Sequence, residues 1–212
     1  MKLQENFYLQ DTLKVAHNLL GCILVHKLTE NKVCGMIVET EAYMGITDKG
    51  AHSFGGRHTP RMDPLYKRGG YAYIYQLHGN NYCLNVVAER NDQPRAVLIR
   101  ALEPVEGLKS MAERREIDLS KNEVNKGKDK PSFRLRNLTN GPSKLCQAMG
   151  IDNTLNGIDL LGDRLYIIPG KSFNNKIVAT PRINIEYAEE DKDKPWRFIV
   201  KGNNFLSRVY KE

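Results

Sequence analysis

Three short apolar runs, YAYIYQL (71–77), NYCLNVV (81–87) and RAVLIRAL (95–102), follow one another with only a few turn residues between them. Parallel neighbours need a crossover of a dozen or more residues, usually a helix, and no such segment fits here. The runs therefore predict a meander of antiparallel pairing. CILVHKL and VCGMIVETEAY, joined by a turn at TENK, extend the series toward the N-terminus. RLYIIP, KIVATPRINIEY and WRFIVK read as late strands. Helical patterns flank them at residues 11–20, from Pro104 through roughly residue 116, and at GPSKLCQAMG. Residues 117–138 are polar, basic and aperiodic, which predicts a long mobile surface loop. The expected fold class is α+β: one domain over residues 1–212, around a mainly antiparallel sheet with flanking helices.

Composition narrows the partners. The 212 residues carry a net charge of +7 and a pI of about 9.2, so an anionic partner is expected. No run of 18 or more apolar residues is present and the N-terminus lacks the apolar core of a signal peptide, so neither a membrane nor export is expected. Cys22, Cys34, Cys83 and Cys146 are far apart and sit in apolar stretches, as buried thiols do in a reducing cytoplasm. Neither they nor the five histidines show metal-ligand spacing, and no metal or other cofactor is expected.

Three segments carry chemistry. In VETEAY, strand alternation places Glu39, Glu41 and Tyr43 on one face, with the carboxylates roughly 7 Å apart along the strand. A carboxylate among apolar neighbours is a natural general base. Judged on this segment alone, two solvated glutamates on an open sheet face are the simpler reading. AHSFGGRHTPR combines glycines, which let backbone approach a ligand, with arginines suited to phosphate. Alternatively it is an ordinary basic loop. Tyr71, Tyr73 and Tyr75 share a strand face and suit either core packing or the stacking of bases.

The series VETEAY, AHSFGGRHTPR, GGYAYIYQLHGNNYCLNV, LIRALEP and GPSKLCQAMGI resembles, in order and spacing, the alkyladenine (3-methyladenine) DNA glycosylases, from about Leu9 to Val200. The resemblance implies a single α+β domain around a curved antiparallel sheet. It also implies a monofunctional enzyme that flips 3-methyladenine, 7-methylguanine, hypoxanthine or etheno-adenine out of duplex DNA and hydrolyses the base–sugar bond without metal. By the same resemblance Glu41 activates the water and Arg100 helps hold it. Tyr43, His52 and Tyr75 wall the extruded base, and Asn85 crowds the 2-amino group of normal guanine. Glu39 matches a position with no direct catalytic role. At His78 the chain departs from the family pattern, in which a tyrosine wedge fills the gap left by the flipped nucleotide. Arg57, Arg61 and Lys144 are the expected phosphate contacts, and damaged duplex DNA is the expected partner, with no obligate protein partner. The chain lacks the long N-terminal extension of animal members, as expected for a bacterial one. A two-carboxylate carbohydrate hydrolase leaves the charge and the arginine-rich loop unexplained. A non-catalytic nucleic-acid-binding module gives a carboxylate in a basic groove no purpose.

Overall fold

The computed structural model describes residues 1–120 and 131–210. In chain order it comprises α1 (Glu5–Tyr8), α2 (Thr12–Asn18), β1 (Ile23–Lys27), β2 (Lys32–Tyr43), β3 (Ala72–Gln76), β4 (Tyr82–Ala88), β5 (Arg95–Glu106), α3 (Leu108–Arg114), α4 (Phe133–Arg136), α5 (Pro142–Met149), β6 (Leu165–Ile168), β7 (Ile177–Thr180) and β8 (Arg197–Val200). Short 3-10 turns fill the connections, including Gly45–Thr47, Phe54–Gly56, Pro60–Tyr66 and Glu186–Asp193.

All eight strands join one antiparallel sheet in the order β3-β4-β5-β2-β1-β6, with β7 and β8 attached through β2. β2 is the spine. One of its edges pairs with β5 along nearly its whole length, while the other is shared: Lys32–Met36 pair with β1, and Glu39–Glu41 with β8. The exchange of partner falls where the β2–β5 register shifts, between Ile37 and Thr40. Such bulges bend a strand and sharpen its twist, and here they curl the sheet into an open half-barrel. Leu84, Val86 and Ala88 on one face of β4 join the main core, which includes Leu145, Cys146 and Met149 of α5. Val87, on the other face, joins a smaller cluster with Met62, Leu65, Tyr73 and Ala96, against which Tyr71, Tyr66 and Tyr75 pack. The three strand tyrosines thus do share a side. All four cysteines are buried and free.

Two expectations from sequence are corrected. Pro104 does not open a helix; it lies inside β5, opposite Gly35 and beside the shift at Cys34/Gly35. β4 pairs only with Arg95–Leu98, so the far edge of β5 at Pro104 carries no ladder that would need its missing N–H. The helix starts later, at Leu108, after Gly107 turns the chain at φ 81°. The second correction concerns the proposed loop 117–138. Its residues 121–130 lie outside the described residues, but Phe133–Arg136 form α4, with the Ser132 hydroxyl accepting from the Leu135 N–H at 3.1 Å. The serine cap supplies what the missing periodicity concealed.

α2 begins on the Asp11 side chain, which accepts from the Leu13 and Lys14 amides. It ends toward Gly21, at φ 88°, whose amide donates to Ile37 of β2 and whose carbonyl accepts from Lys171. A Cβ at Gly21 would stand 1.8 Å from the Lys171 carbonyl oxygen, whereas Gly55, at φ 66°, has open space around it. Gly21→Ala should therefore cost about 3 kcal/mol or more, from strained backbone plus the clash, and Gly55→Ala about 1 kcal/mol. Denaturant unfolding of the two variants checks this; equal losses would remove the clash at Gly21.

Candidate active site

Both carboxylates of VETEAY are fully buried, contrary to the open-face reading. The cause is the branch in the sheet: β5 covers one edge of residues 39–41 and β8 the other. A buried charge requires partners, and Arg100 of β5 supplies them to both. Its Nε donates to Glu39 Oε1 at 3.1 Å and its Nη1 to Glu41 Oε2 at 3.2 Å. Burial works against the Arg100 charge, but the two carboxylates outweigh it and hold the guanidinium above its ordinary pKa. Glu41 also accepts from the Ile183 amide at 2.8 Å on Oε1 and from the Tyr43 hydroxyl at 3.0 Å on Oε2. Burial, reinforced by the Glu41 carboxylate, pushes the Tyr43 phenol well above its usual pKa, so it remains a donor.

Tyr43 links this buried centre to a cavity of about 420 Å³, counting its open mouth. Tyr43, His52, Tyr75 and Asn85 all line it, with Tyr73 and Tyr187 beside them. His52 Nδ1 lies 2.9 Å from the Tyr73 hydroxyl, and its ring meets the Tyr75 ring edge-on with centroids 4.4 Å apart. Desolvation raises the Tyr73 phenol to about 12 and Tyr75 further still. Asn85 is fixed across the strand pair, its Nδ2 donating to the Tyr73 carbonyl at 3.1 Å.

The loop that carries His52 is fastened at several points. Arg182 makes a two-pronged bond to Asp48 at 2.6 and 2.7 Å, with neither side chain exposed. The same guanidinium sits between the rings of Tyr43 and Trp196, 4.8 and 4.9 Å from their centroids. Ser53 donates to the Pro94 carbonyl, and Tyr187 reaches across the mouth to the Gly50 carbonyl at 3.3 Å. Beyond Ser53 the loop is open: Phe54 is 45% exposed, and a Cβ at Gly55 or Gly56 would meet nothing.

Arg57 and Arg61 are exposed, close enough to the mouth to act electrostatically on His52 and Tyr73. His78 is exposed in the β3–β4 turn, where its carbonyl accepts from both the amide and the side chain of Asn81. Leu77 beside it is 49% exposed. Lys144 stands apart, on the helix that packs against the opposite face of β4, its Nζ bonded to the Asn137 and Asn140 side chains. Among the described residues no group of three or more His, Cys, Asp or Glu side chains is placed to hold a metal ion, and no helix is long and apolar enough to cross a membrane.

The sequence pattern that defines the methylpurine-DNA glycosylase (MPG) family matches residues 6–204. The chain belongs to this family. Among relatives provisionally named 3-methyladenine DNA glycosylase, the Clostridium acetobutylicum protein is 50% identical over the full length of both chains. That of Desulfitobacterium hafniense is 46% identical over 97% of this chain and 98% of its own. A Bacillus cereus relative is 45% identical over 98% of this chain and 100% of its own. The protein is thus a DNA glycosylase by family.

Several residues of this glycosylase's site escape a reading of sequence. Arg182, the Ile183 amide and Tyr187 fall in KIVATPRINIEY, which reads as a strand throughout. The strand ends at Thr180, however, and these residues come from irregular backbone beyond it; Asp48 also comes from irregular backbone, between β2 and β3. The aromatic and charged character of PRINIEY hints at Arg182 and Tyr187, and no pattern marks Asp48. Burial, and then the positive charges of Arg61 and Arg57, lower the His52 pKa. Stability linked to His52 is accordingly full at neutral pH and lost as pH falls from the ordinary histidine value toward the lowered one. An NMR titration should place His52 below the ordinary histidine range, and Arg61→Ala should move it upward; a midpoint at or above that range would contradict its burial.

Proposed function

We propose that this glycosylase takes an alkylated or deaminated purine (3-methyladenine, 7-methylguanine, hypoxanthine or etheno-adenine) out of duplex DNA and hydrolyses its N-glycosidic bond with a water activated by Glu41. The observation that carries this reading is the hydrogen bond from Tyr43 in the pocket wall to the fully buried Glu41 carboxylate. A purine held against Tyr43 lies one hydrogen bond from the Glu41 carboxylate, a group that can accept a proton from water.

The energetics suit the residues. A base must leave the stack before it can be cut, at a cost of a few kcal/mol. Aromatic walls return roughly 1–3 kcal/mol for a stacked base. Tyr43, Tyr75 and His52 offer those walls, and purines made cationic by alkylation gain further from the tyrosine faces. The base leaves with its bonding electrons and the sugar becomes oxocarbenium-like, as in other glycoside hydrolyses. The Glu41 carboxylate stabilises that cation. A carboxylate has about four acceptor sites. Ile183, Tyr43 and Arg100 use three of these at Glu41, which leaves Oε1 one further site for the attacking water.

Outside the pocket, the +7 charge and the exposed Arg57 and Arg61 favour a phosphate backbone at the mouth. Lys144 is a more distant phosphate contact. His78, at the tip of its hairpin, enters the vacated stack with less ring area than a tyrosine. Asn85, held in one orientation by Tyr73, occupies the space a guanine 2-amino group would require.

Glu41→Gln should slow single-turnover excision from a lesion duplex by at least about 100-fold while leaving binding intact, because the shape is kept while proton acceptance and the negative charge beside the sugar are removed. Excision at the native rate would take Glu41 out of the mechanism. Asn85→Ser should raise release of undamaged guanine more than release of hypoxanthine; equal changes, read by base release from the two duplexes, would leave Asn85 without a role in exclusion.

A further inference from the structure

Glu39 receives more hydrogen bonds than Glu41, although, unlike Glu41, it makes none with a residue of the pocket lining. Its Oε1 accepts from Arg100 Nε at 3.1 Å, Arg197 Nε at 2.7 Å and the Ser207 hydroxyl at 2.8 Å, and its Oε2 accepts from the Ser207 amide at 2.6 Å. Every one of these contacts bears on how Arg100 is held. The guanidinium is a rigid planar fork, and each of its nitrogens is engaged: Nε by Glu39, Nη1 by Glu41 and Nη2 by the Ser207 hydroxyl at 3.4 Å. Ser207 accepts from Arg100 while donating to Glu39, so a single hydroxyl closes the ring.

Charge balance gives the arrangement a consequence for reactivity. Two carboxylates, Glu39 and Glu41, share the sheet centre with two guanidinium groups, Arg100 and Arg197. Arg197 spends its charge on Glu39, and Arg100 is divided between Glu39 and Glu41. Without the Glu39 charge, Glu41 would be the sole anion facing two buried cations. A carboxylate drawn into a full ion pair is a poorer proton acceptor, and one tilted toward Arg100 no longer aims its free site.

We infer that Glu39 and Ser207 are positioning residues of the excision reaction: they hold Arg100 on two sides so that Glu41 keeps an acceptor site for water. The inference rests on Glu41 being the group that activates the water. It makes the segment around Ser207, far from the pocket lining, part of the reaction machinery.

The test measures single-turnover excision from a hypoxanthine duplex, and affinity for that duplex, on the full chain carrying Glu39→Gln, Ser207→Ala, Ser207→Thr or Glu41→Gln. Glu39→Gln should reduce the excision rate roughly 10- to 100-fold, the usual scale for losing an orienting partner. Ser207→Ala should reduce it several-fold, and Ser207→Thr, which keeps the hydroxyl, should restore most of the loss. Lesion affinity should stay within about twofold in each, since neither residue reaches the pocket. A rate in folded Ser207→Ala equal to the native rate, or the same rate for the Ala and Thr variants, would overturn the inference even if Glu39→Gln does not fold. Loss of affinity in parallel with rate would also overturn it, since that marks a structural role alone. If Glu41→Gln excises at the native rate, the Glu41 reading itself falls and the inference falls with it. If that variant is inactive while the Glu39 and Ser207 variants are not, only the inference fails.

Discussion

One guanidinium shared between two carboxylates organises this protein. Arg100 can hold Glu39 and Glu41 together because β5 bulges there, with Ala101 and Ile99 pairing to Glu39 and Thr40 on either side of it, and because β8 closes the other edge of β2. A buried ion pair that loses one partner costs about 3–5 kcal/mol, since the remaining charge has no water to turn to. Residues 39–41 thus admit little variation in either geometry or charge. The bulges between Ile37 and Thr40 fit the same requirement, for they mark where the second edge of β2 passes from β1 to β8.

Around that fixed centre, rigidity is distributed unevenly. The inner part of the pocket loop is fastened by the Asp48–Arg182 pair, by Ser53 on Pro94 and by Tyr187 on Gly50. The outer part, Phe54–Gly56, and the His78 turn project into solvent with few neighbours. A pre-formed pocket avoids the entropy of ordering its walls when a ligand arrives. A looser rim can follow the irregular contour of a duplex while the walls stay in place.

Much of this was legible in the sequence where regular periodicity carried it. The antiparallel order of β3, β4 and β5, the helix ended by Gly150 and the shared side of Tyr71, Tyr73 and Tyr75 follow from spacing and turn residues alone. Tyr43, His52, Tyr75 and Asn85 meet in one cavity, as the motif series implied. The burial of Glu39 and Glu41 was not legible, because it depends on β8, far later in the chain. Nor was the position of Pro104, whose tolerance in a strand depends on β4 ending its pairing at Leu98. Arg182 and Tyr187 follow a strand that stops at Thr180, earlier than its pattern predicts, and Ser207 lies in a segment without period; at all three, contact is decided by tertiary closure rather than by local pattern.

The sheet branch at β2 also has a consequence in time. The groups that converge on Arg100 come from residues 39, 41, 197 and 207. No fragment released early from the ribosome contains them all. Contacts of such long sequence separation form late and slowly, because the loop they close must be ordered before they return any energy. During synthesis, which proceeds at roughly 5–20 residues per second, Glu39 and Glu41 are made well before the strand that shields them. The nascent chain therefore carries two unshielded carboxylates, and the buried centre is complete only after β8 and the segment around Ser207 have docked.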